Sequence, residues 1–591
     1  MFNTESTVFE RDIYCCITAC NETEEEVALS LNIFRSSSML DLALKKRIHI
    51  FIFLDRQRDN EPDTVTFKAY QKLLNIEVRD EVNRSSQIKK HGCRVFNGFI
   101  EDIPYSLYVK GDNLLSGKRY SILLFAYLVQ QFAKRGSYPP SYLLFLDCDT
   151  TTQGKDIQCL VDTLEIDSDC GGVTGWLKVA NTDCANVTVL LQKFYIYFYG
   201  HIIEKAADTI FGKCTCLPGA FSLVRYSAFI GCLDKFSEIP MDDDFHKINC
   251  LELGEDRYMT TLLIQKGYNT RYVQQAVART VVPDTFDSYV TQQRRWLQST
   301  ISNQVVLLFG KNSPLLMGSK WGILQWLVVF FQFVSNLLSI GITAVIVSEG
   351  RFFGNIFPPI AEALIVWIYL VIFTFSMMNK SIEKIYLWLL FNLFIITFFC
   401  CYGVFCSAFD YMNQTKFDVT IYVIFMLMVV RPVAILWIIF KFAKPKNWLI
   451  LLVGFFSTYF LCGIFPIINL CAFANMDNRS WGTRGIAYES GEKSQQKKLI
   501  QNSFYVKTNT EWQANKVMSF ISGYTKKLLF VILIFFLNLI FIFLSIGRGY
   551  QNTLIGFLMC LVILSFVSLP HLLFSSLYHA GIWFAPLQKK R

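Results

Sequence analysis

Residues Tyr142–Asp149 read Y-L-L-F-L-D-C-D, an unbroken apolar run that stops on two carboxylates one residue apart. A short apolar run without alternation suits a strand buried on both faces, as in a parallel sheet. Upstream, Ile48–Asp55 repeats the pattern as I-H-I-F-I-F-L-D. Ile13–Thr18 is a shorter strand, followed by polar Cys20-Asn21-Glu22. Helical periodicity fills the gaps over Glu24–Ser36 and Arg119–Ala133. This βαβ alternation predicts a doubly wound, Rossmann-like α/β domain with its ligands at the carboxyl ends of the strands. Thr18, Glu22, Asp55 and Asp147 lie at or just beyond such ends and are candidate substrate contacts.

Three short patches add chemistry. Asp147-Cys148-Asp149 can hold a ribose and a divalent ion, because magnesium is satisfied by one or two carboxylates plus phosphate oxygens and water. An acidic surface turn would look the same in isolation. Gly254–Tyr258 reads G-E-D-R-Y, just before a helix expected over Arg257–Gln265. Helix capping accounts for Glu255 and Asp256 by itself. The chemical alternative makes Asp256 a general base within reach of an acceptor hydroxyl. Thr291–Trp296 reads T-Q-Q-R-R-W on an amphipathic helix expected over Phe286–Phe309. A snorkelling interfacial helix would carry the same residues. Gln292, Arg294 and Arg295 also suit a departing diphosphate, and Trp296 offers a flat face to a sugar ring. Taken in order, the patches read as a membrane-bound enzyme that handles a metal-bound nucleotide sugar.

Composition supports the membrane. Of 591 residues, 53% are hydrophobic and only 17% charged, which excludes an ordinary soluble chain. The polarity is uneven, mixed up to about Ser319 and apolar beyond. Long apolar runs cover Trp321–Val347, Ile360–Met378, Ile385–Ala408, Val419–Phe440, Trp448–Ala474, Leu528–Ile546 and Leu554–Leu577. Each can cross a hydrocarbon core of roughly 30 Å. Basic loops at Asn379–Lys384 and Lys441–Asn447, with the basic tail, favour the cytosol. The arithmetic works if Trp448–Ala474 is broken at Gly454, Gly463 and Pro466, leaving about six crossings. The expected organisation is a cytosolic domain over 1–285, interfacial helices over 286–319 and a membrane domain over 320–591. The start of the chain shows no signal-peptide core, so targeting is expected from the spans. The 18 Cys are scattered and form neither a disulfide framework nor a zinc spacing. A net charge of +9 without a basic-aromatic element points to anionic lipid and away from nucleic acid.

Together these residues resemble chitin synthases, processive inverting glycosyltransferases with the GT-A fold. The resemblance is carried by Gln192–Arg225, Gly254–Gln265 and Thr280–Trp296. It resumes with P-I-I-N-L-C-A-F and then S-W-G-T-R-G at Ser480–Gly485. The last motif separates these enzymes from hyaluronan and cellulose synthases, which share only the shorter elements. The resemblance implies UDP-N-acetylglucosamine as donor, a growing chitin chain as acceptor, Mg2+ or Mn2+ as cofactor, and a plasma-membrane location. A homodimer is the assembly expected. Asp147 and Asp149 would hold the UDP and the metal, and Asp256, beside Glu255, would be the base. Gln292, Arg295 and Trp296 would hold the diphosphate and the acceptor end. Asp55 would read the uracil, and Lys118 with Arg119 would help hold the nucleotide. Pro218, Gly219 and Ala220 resemble a mobile loop at a channel mouth, and Trp481 is a candidate contact for the emerging chain. Cys20 departs from the family's usual Tyr, and Q-Q-R-R-W from the commoner Q-R-R-R-W. Two other readings stay open: a hyaluronan-type or other β-polysaccharide synthase, and a non-catalytic channel or transporter.

Overall fold

The computed structural model describes most of residues 12–413, together with 433–441, 448, 451–455, 463–478, 523–546, 560, 563 and 568–579. Within 12–413 it leaves aside 36–41, 56–62, 77–87, 91–92, 112–113, 115–116, 135–138, 182–185, 242–243, 312, 317, 350–351, 353–355 and 379–381. Ser480–Gly485, with Trp481, lies outside the described residues, as does the basic tail.

A ten-stranded sheet organises the first half. Its strands are β1 (Ile13–Ala19), β2 (Ile48–Leu54), β3 (Ile88–Lys90), β4 (Cys93–Ile100), β5 (Ile103–Lys110), β6 (Tyr142–Asp147), β7 (Thr150–Thr152), β8 (Cys170–Val179), β9 (Phe221–Arg225) and β10 (Asn269–Thr280). They lie in the order β3-β4-β5-β2-β1-β6-β9-β8-β10-β7. The two apolar runs behave as expected. All seven residues of β2 are buried, and β1 pairs in parallel with both β2 and β6. Helices packed on both faces supply the second and third layers of apolar core. The sheet is mixed, however, not wholly parallel. β9 runs antiparallel between β6 and β8, and β4–β5 form a hairpin at the far edge.

The register of β1 against β6 places Thr18 opposite Asp147, so two candidate residues meet at one carboxyl edge. Gly175 keeps β8 close to its neighbours. A Cβ there would lie 2.4 Å from both the Ala276 carbonyl oxygen and the Phe221 ring.

Below the sheet runs Phe286–Phe309, the long helix expected from the sequence. Among the described residues, three helices beyond it are long and apolar enough to cross a membrane: Pro359–Met377, Tyr386–Gly403 and Lys526–Ile546. The expected run Trp321–Val347 is not one straight span. Helices Gly322–Leu337 and Ser339–Ser348 meet at a 69° bend, so they form one broken span or a re-entrant pair. Ile464–Ala474 begins directly after Gly463 and carries Pro466 in its first turn, where a missing N–H costs nothing.

Of the expected run Leu554–Leu577, only 560, 563 and 568–577 lie among the described residues. Residues 568–579 form a helix that packs against the sheet domain. Phe574 packs on Phe211 at 4.6 Å and on Trp321 at 5.0 Å between ring centroids. The Tyr578 hydroxyl donates to the Tyr272 carbonyl at 2.9 Å and accepts from the Gln274 N–H at 3.3 Å. A bulge in β10, where its register against β8 shifts between Val273 and Val277, leaves those groups open to it.

Candidate active site

A cleft of about 700 Å³ opens at the carboxyl edge of β1, β2 and β6. That size suits a small-molecule site. Thr18, Glu22, Asp55, Lys118, Asp147, Asp149, Pro218, Ala220, Glu255, Asp256, Gln292, Arg295 and Trp296 all line it. Residues far apart in the chain therefore meet in one cavity.

The D-x-D turn is set by its middle residue. Cys148 is buried, with its sulfur 3.2 Å from the Tyr70 hydroxyl. Turning Cys148 inward turns both flanking carboxylates outward. Asp147 accepts from Thr18 Oγ1 at 3.3 Å and from the Lys118 ammonium. Asp149 accepts from the Thr150 and Thr280 hydroxyls, each at 3.3 Å. Among the described residues, no cluster of three or more acidic, His or Cys side chains could cage a metal. Two carboxylates on one turn instead fit an ion that completes its shell with phosphate oxygens and water.

Asp55 follows β2. Its carboxylate accepts from the Gly117 N–H and lies 3.3 Å from Lys110 Nζ. Lys110 is buried and also donates to Ser121. It therefore anchors Asp55 from behind the cleft.

Glu255 and Asp256 stand inside the first turn of helix Glu255–Gln265, which starts two residues earlier than the sequence suggested. The positive end of the helix dipole favours their charge. Lys118 reaches between the two acidic patches, bonded to Asp147 and 3.7 Å from Glu255. Burial pushes Glu255 up to about 6, Lys118 opposes it, and the neighbouring Asp256 charge adds to the rise. Burial also pushes Asp256 up. There the Lys118 charge, the Gly219 N–H and Arg257 outweigh it and hold the carboxyl below the ordinary value. The Gly219 N–H donates to Asp256 Oδ2 at 3.0 Å, and the Arg257 N–H to Oδ1 at 2.7 Å.

The Gln-x-x-Arg-Trp stretch forms the floor. Arg295 donates from Nη1 to the Leu253 carbonyl at 3.0 Å, tying its helix to the segment just before Glu255. Burial lowers the Arg295 pKa, while Glu255, Asp256 and Asp147 all favour its charge.

Two expected residues turn elsewhere. Arg119 is buried outside the cleft, donating to the carbonyls of Phe236 at 2.7 Å and Glu238 at 2.9 Å. Arg294 is almost fully buried on the side of Cys471 and Asp477, and burial lowers it to about 10. In both pairs the cause is helical geometry. Successive residues point about 100° apart, so Arg119 and Arg294 fall on faces turned away from the cleft that Lys118 and Arg295 enter.

Sequence reasoning missed two walls. One is the helical stretch Gln192–Lys205, wound more widely than an α-helix, which with Ala206–Phe211 brings Tyr197, His201, Glu204 and Asp208 to the cleft. His571, from the docked 568–579 helix, joins them 3.7 Å from Asp208. The other wall is a polar stripe down Phe286–Phe309. Ser299, Thr300, Asn303 and Gln304 continue from Trp296 toward Gln332, and Gln304 donates to Gln332 at 2.9 Å. A four-residue polar spacing below Arg295 was the signal for that stripe.

The chitin synthase family model matches residues 133–412. Chitin synthase 5 of Cryptococcus neoformans var. grubii is 38% identical over 179 residues, covering 28% of this chain and 9% of that protein. Chitin synthase 4 of the same organism is 33% identical over 208 residues, covering 33% and 16%. Chitin synthase csmA of Aspergillus niger is 35% identical over 178 residues, covering 28% and 11%. The matches thus span only 9% to 16% of these three relatives' own lengths. A solved mannosyltransferase from Pyrobaculum calidifontis, in complex with GDP-Man and Mn2+, aligns at a TM-score of 0.33 and 11% identity, over 56% of this chain and 76% of that one. That likeness is too slight to carry a conclusion. The family that the sequence motifs resemble is the one the sequence matches return.

Proposed function

We propose that this chain transfers N-acetylglucosamine from UDP-N-acetylglucosamine to the 4-hydroxyl of a growing β-1,4 chitin chain, with inversion, and passes the product between its own helices. One observation carries the reading. A single cleft holds a D-x-D turn, an acidic pair linked to it through Lys118, and an Arg-Trp floor that continues as a polar stripe toward the apolar helices.

Asp147 and Asp149 would hold a divalent ion, which when bound neutralises charge on the diphosphate. Lys118 and Arg295 supply positive charge where the leaving group develops negative charge. Asp256 takes the proton from the acceptor 4-hydroxyl as that oxygen attacks C1 of the donor sugar. The bond from C1 to the diphosphate oxygen breaks, and its electron pair departs with UDP. One displacement inverts the carbon. Trp296 offers its ring to the acceptor sugar. The stripe through Ser299, Asn303 and Gln304 gives a polyhydroxylated chain hydrogen-bond partners on its way out. The basic loops support a sheet domain in the cytosol, and the family resemblance supports a plasma-membrane location for the apolar helices.

Purified full-length protein in detergent, given radiolabelled UDP-N-acetylglucosamine and Mg2+, tests the reading. Insoluble labelled product released by chitinase supports it. No incorporation, or a product that resists chitinase, contradicts it.

A further inference from the structure

The 69° bend between Gly322–Leu337 and Ser339–Ser348 has a side chain inside it. In an unbroken helix the Gly341 N–H would donate to the Leu337 carbonyl, four residues back. Here it donates to Asn538 Oδ1 at 2.7 Å, and Asn538 Nδ2 donates to the Leu337 carbonyl at 2.8 Å. The second Nδ2 hydrogen goes to the Ile534 carbonyl of its own helix, at 2.7 Å. Asn538 is fully buried within Lys526–Ile546, and its amide is satisfied on both its nitrogen and its oxygen. The amide thus replaces one rung of the neighbouring helix with two bonds from outside. A side chain inserted into the ladder is a sufficient cause of a sharp kink. It also satisfies a carbonyl and an N–H that apolar surroundings would make costly to leave open. Gly341 admits it, since a Cβ there would lie 2.9 Å from Phe541 Cδ1 and 3.1 Å from Asn538 Oδ1.

The bend divides one apolar run between two settings. Beyond it, Ile342 and Val345 pack with Ala363, Phe541 and Ile542 among the apolar helices. Before it, the helix is tied to the sheet domain and the floor helix. Gln325 donates to the Lys213 carbonyl at 2.5 Å, Trp326 donates to the Leu308 carbonyl at 3.2 Å, and Gln332 accepts from Gln304 at 2.9 Å. Val328, Val329 and Gln332 line the cleft, and Asn538 does not. Straightening the run while its far half stays packed would swing Gln332, about 9 Å before the bend at the helical rise, away from Gln304.

We propose that Asn538 is a positioning residue for the product side of the cleft, which keeps Gln332 on the Ser299–Gln304 stripe by holding the bend. It touches neither donor nor acceptor and acts only through the bent helix. The proposal rests on the reading of that stripe as the path of the growing chain. A wall held in place retains the chain between transfers, and a wall swung away releases short products.

The test uses full-length protein in detergent, with Asn538→Leu to remove the amide at similar volume. The first readout is geometric. In a cysteine-depleted background, Gln304→Cys and Gln332→Cys are joined by a short bismaleimide. Asn538→Leu should slow that cross-link by about tenfold, the order carried by two interhelical hydrogen bonds in a membrane. The second readout, taken without the cysteine changes, is product length from UDP-N-acetylglucosamine. UDP binding should match the parent, while product shifts from insoluble polymer to soluble oligosaccharides. A merely structural role would lower binding and synthesis together and leave product length unchanged. Gly341→Ala crowds the amide without removing it, should give both shifts in smaller measure, and serves if Asn538→Leu does not fold. An unchanged cross-link, or parental product length in a folded variant whose cross-link is slowed, overturns the proposal. A parent that makes no polymer removes the proposed function instead, and the cross-link alone then decides whether Asn538 sets the bend.

Discussion

Gly254 and Ser299 are in direct backbone-to-side-chain contact. A Cβ on Gly254 would fall 1.9 Å from Ser299 Oγ and 2.6 Å from Ser299 Cβ. The φ of Gly254 is −156°, which any residue can adopt, so the demand for glycine here is steric. Through this contact, and through Arg295 bonding the Leu253 carbonyl, the acidic pair and the floor helix form one unit.

Gly254→Ala should therefore push the floor helix away from Asp256. Overpacking of this kind costs about 1–3 kcal/mol. Polymer synthesis should fall more steeply than the thermal midpoint suggests. Ser299→Gly in the same chain removes the clashing atoms and should restore part of the activity. A double variant no better than Gly254→Ala would show that the contact does not set the geometry.

Glu255 gives the folded protein a pH signature. Its carboxyl is raised from an ordinary 4.5 to about 6, chiefly by burial. Between those values the folded chain keeps a proton that the unfolded chain has lost. The resulting contribution to stability is fully present below 4.5 and is lost as pH rises through 6, by about 2 kcal/mol. Thermal unfolding of Glu255→Gln followed from pH 4.5 to 7.5 should show a flatter profile than the parent. Parallel profiles would refute the assignment.

Asp149 is held by two threonine hydroxyls and points to the cleft. Asp149→Ala should weaken UDP binding in Mn2+ by at least about tenfold, the scale of one lost charge-assisted contact. Chelation with EDTA should stop turnover, and added Mg2+ or Mn2+ should restore it. Activity indifferent to EDTA would rule out the metal role.

Local pattern made part of this site readable. Ile48–Leu54 matches its strand residue for residue, because an apolar run bounded by charge leaves the chain one way to bury it. Asp147 and Asp149 were visible for the same reason, standing where such a run stops. What stayed hidden depends on distance in the sequence. Arg119 and Arg294 carry the right chemistry in the right motifs, but only helix phase against neighbouring elements decides which of two adjacent cations enters a cleft. The Tyr578 hydroxyl sits in a bulge of β10, and His571 reaches Asp208. Neither contact leaves a periodic trace, since both join segments that share no local pattern. The antiparallel insertion of β9 between β6 and β8 is a choice of topology that a five-residue strand does not announce.

The central claim is that Asp256 removes the acceptor proton in this cleft, and Asp256→Asn tests it most directly. The substitution preserves size and removes the charge that matters mainly in the transition state. Polymer synthesis and UDP binding should be measured on the same purified, folded sample. The account predicts synthesis reduced by at least ~10²-fold, with UDP binding retained. Near-parental synthesis in Asp256→Asn would contradict it.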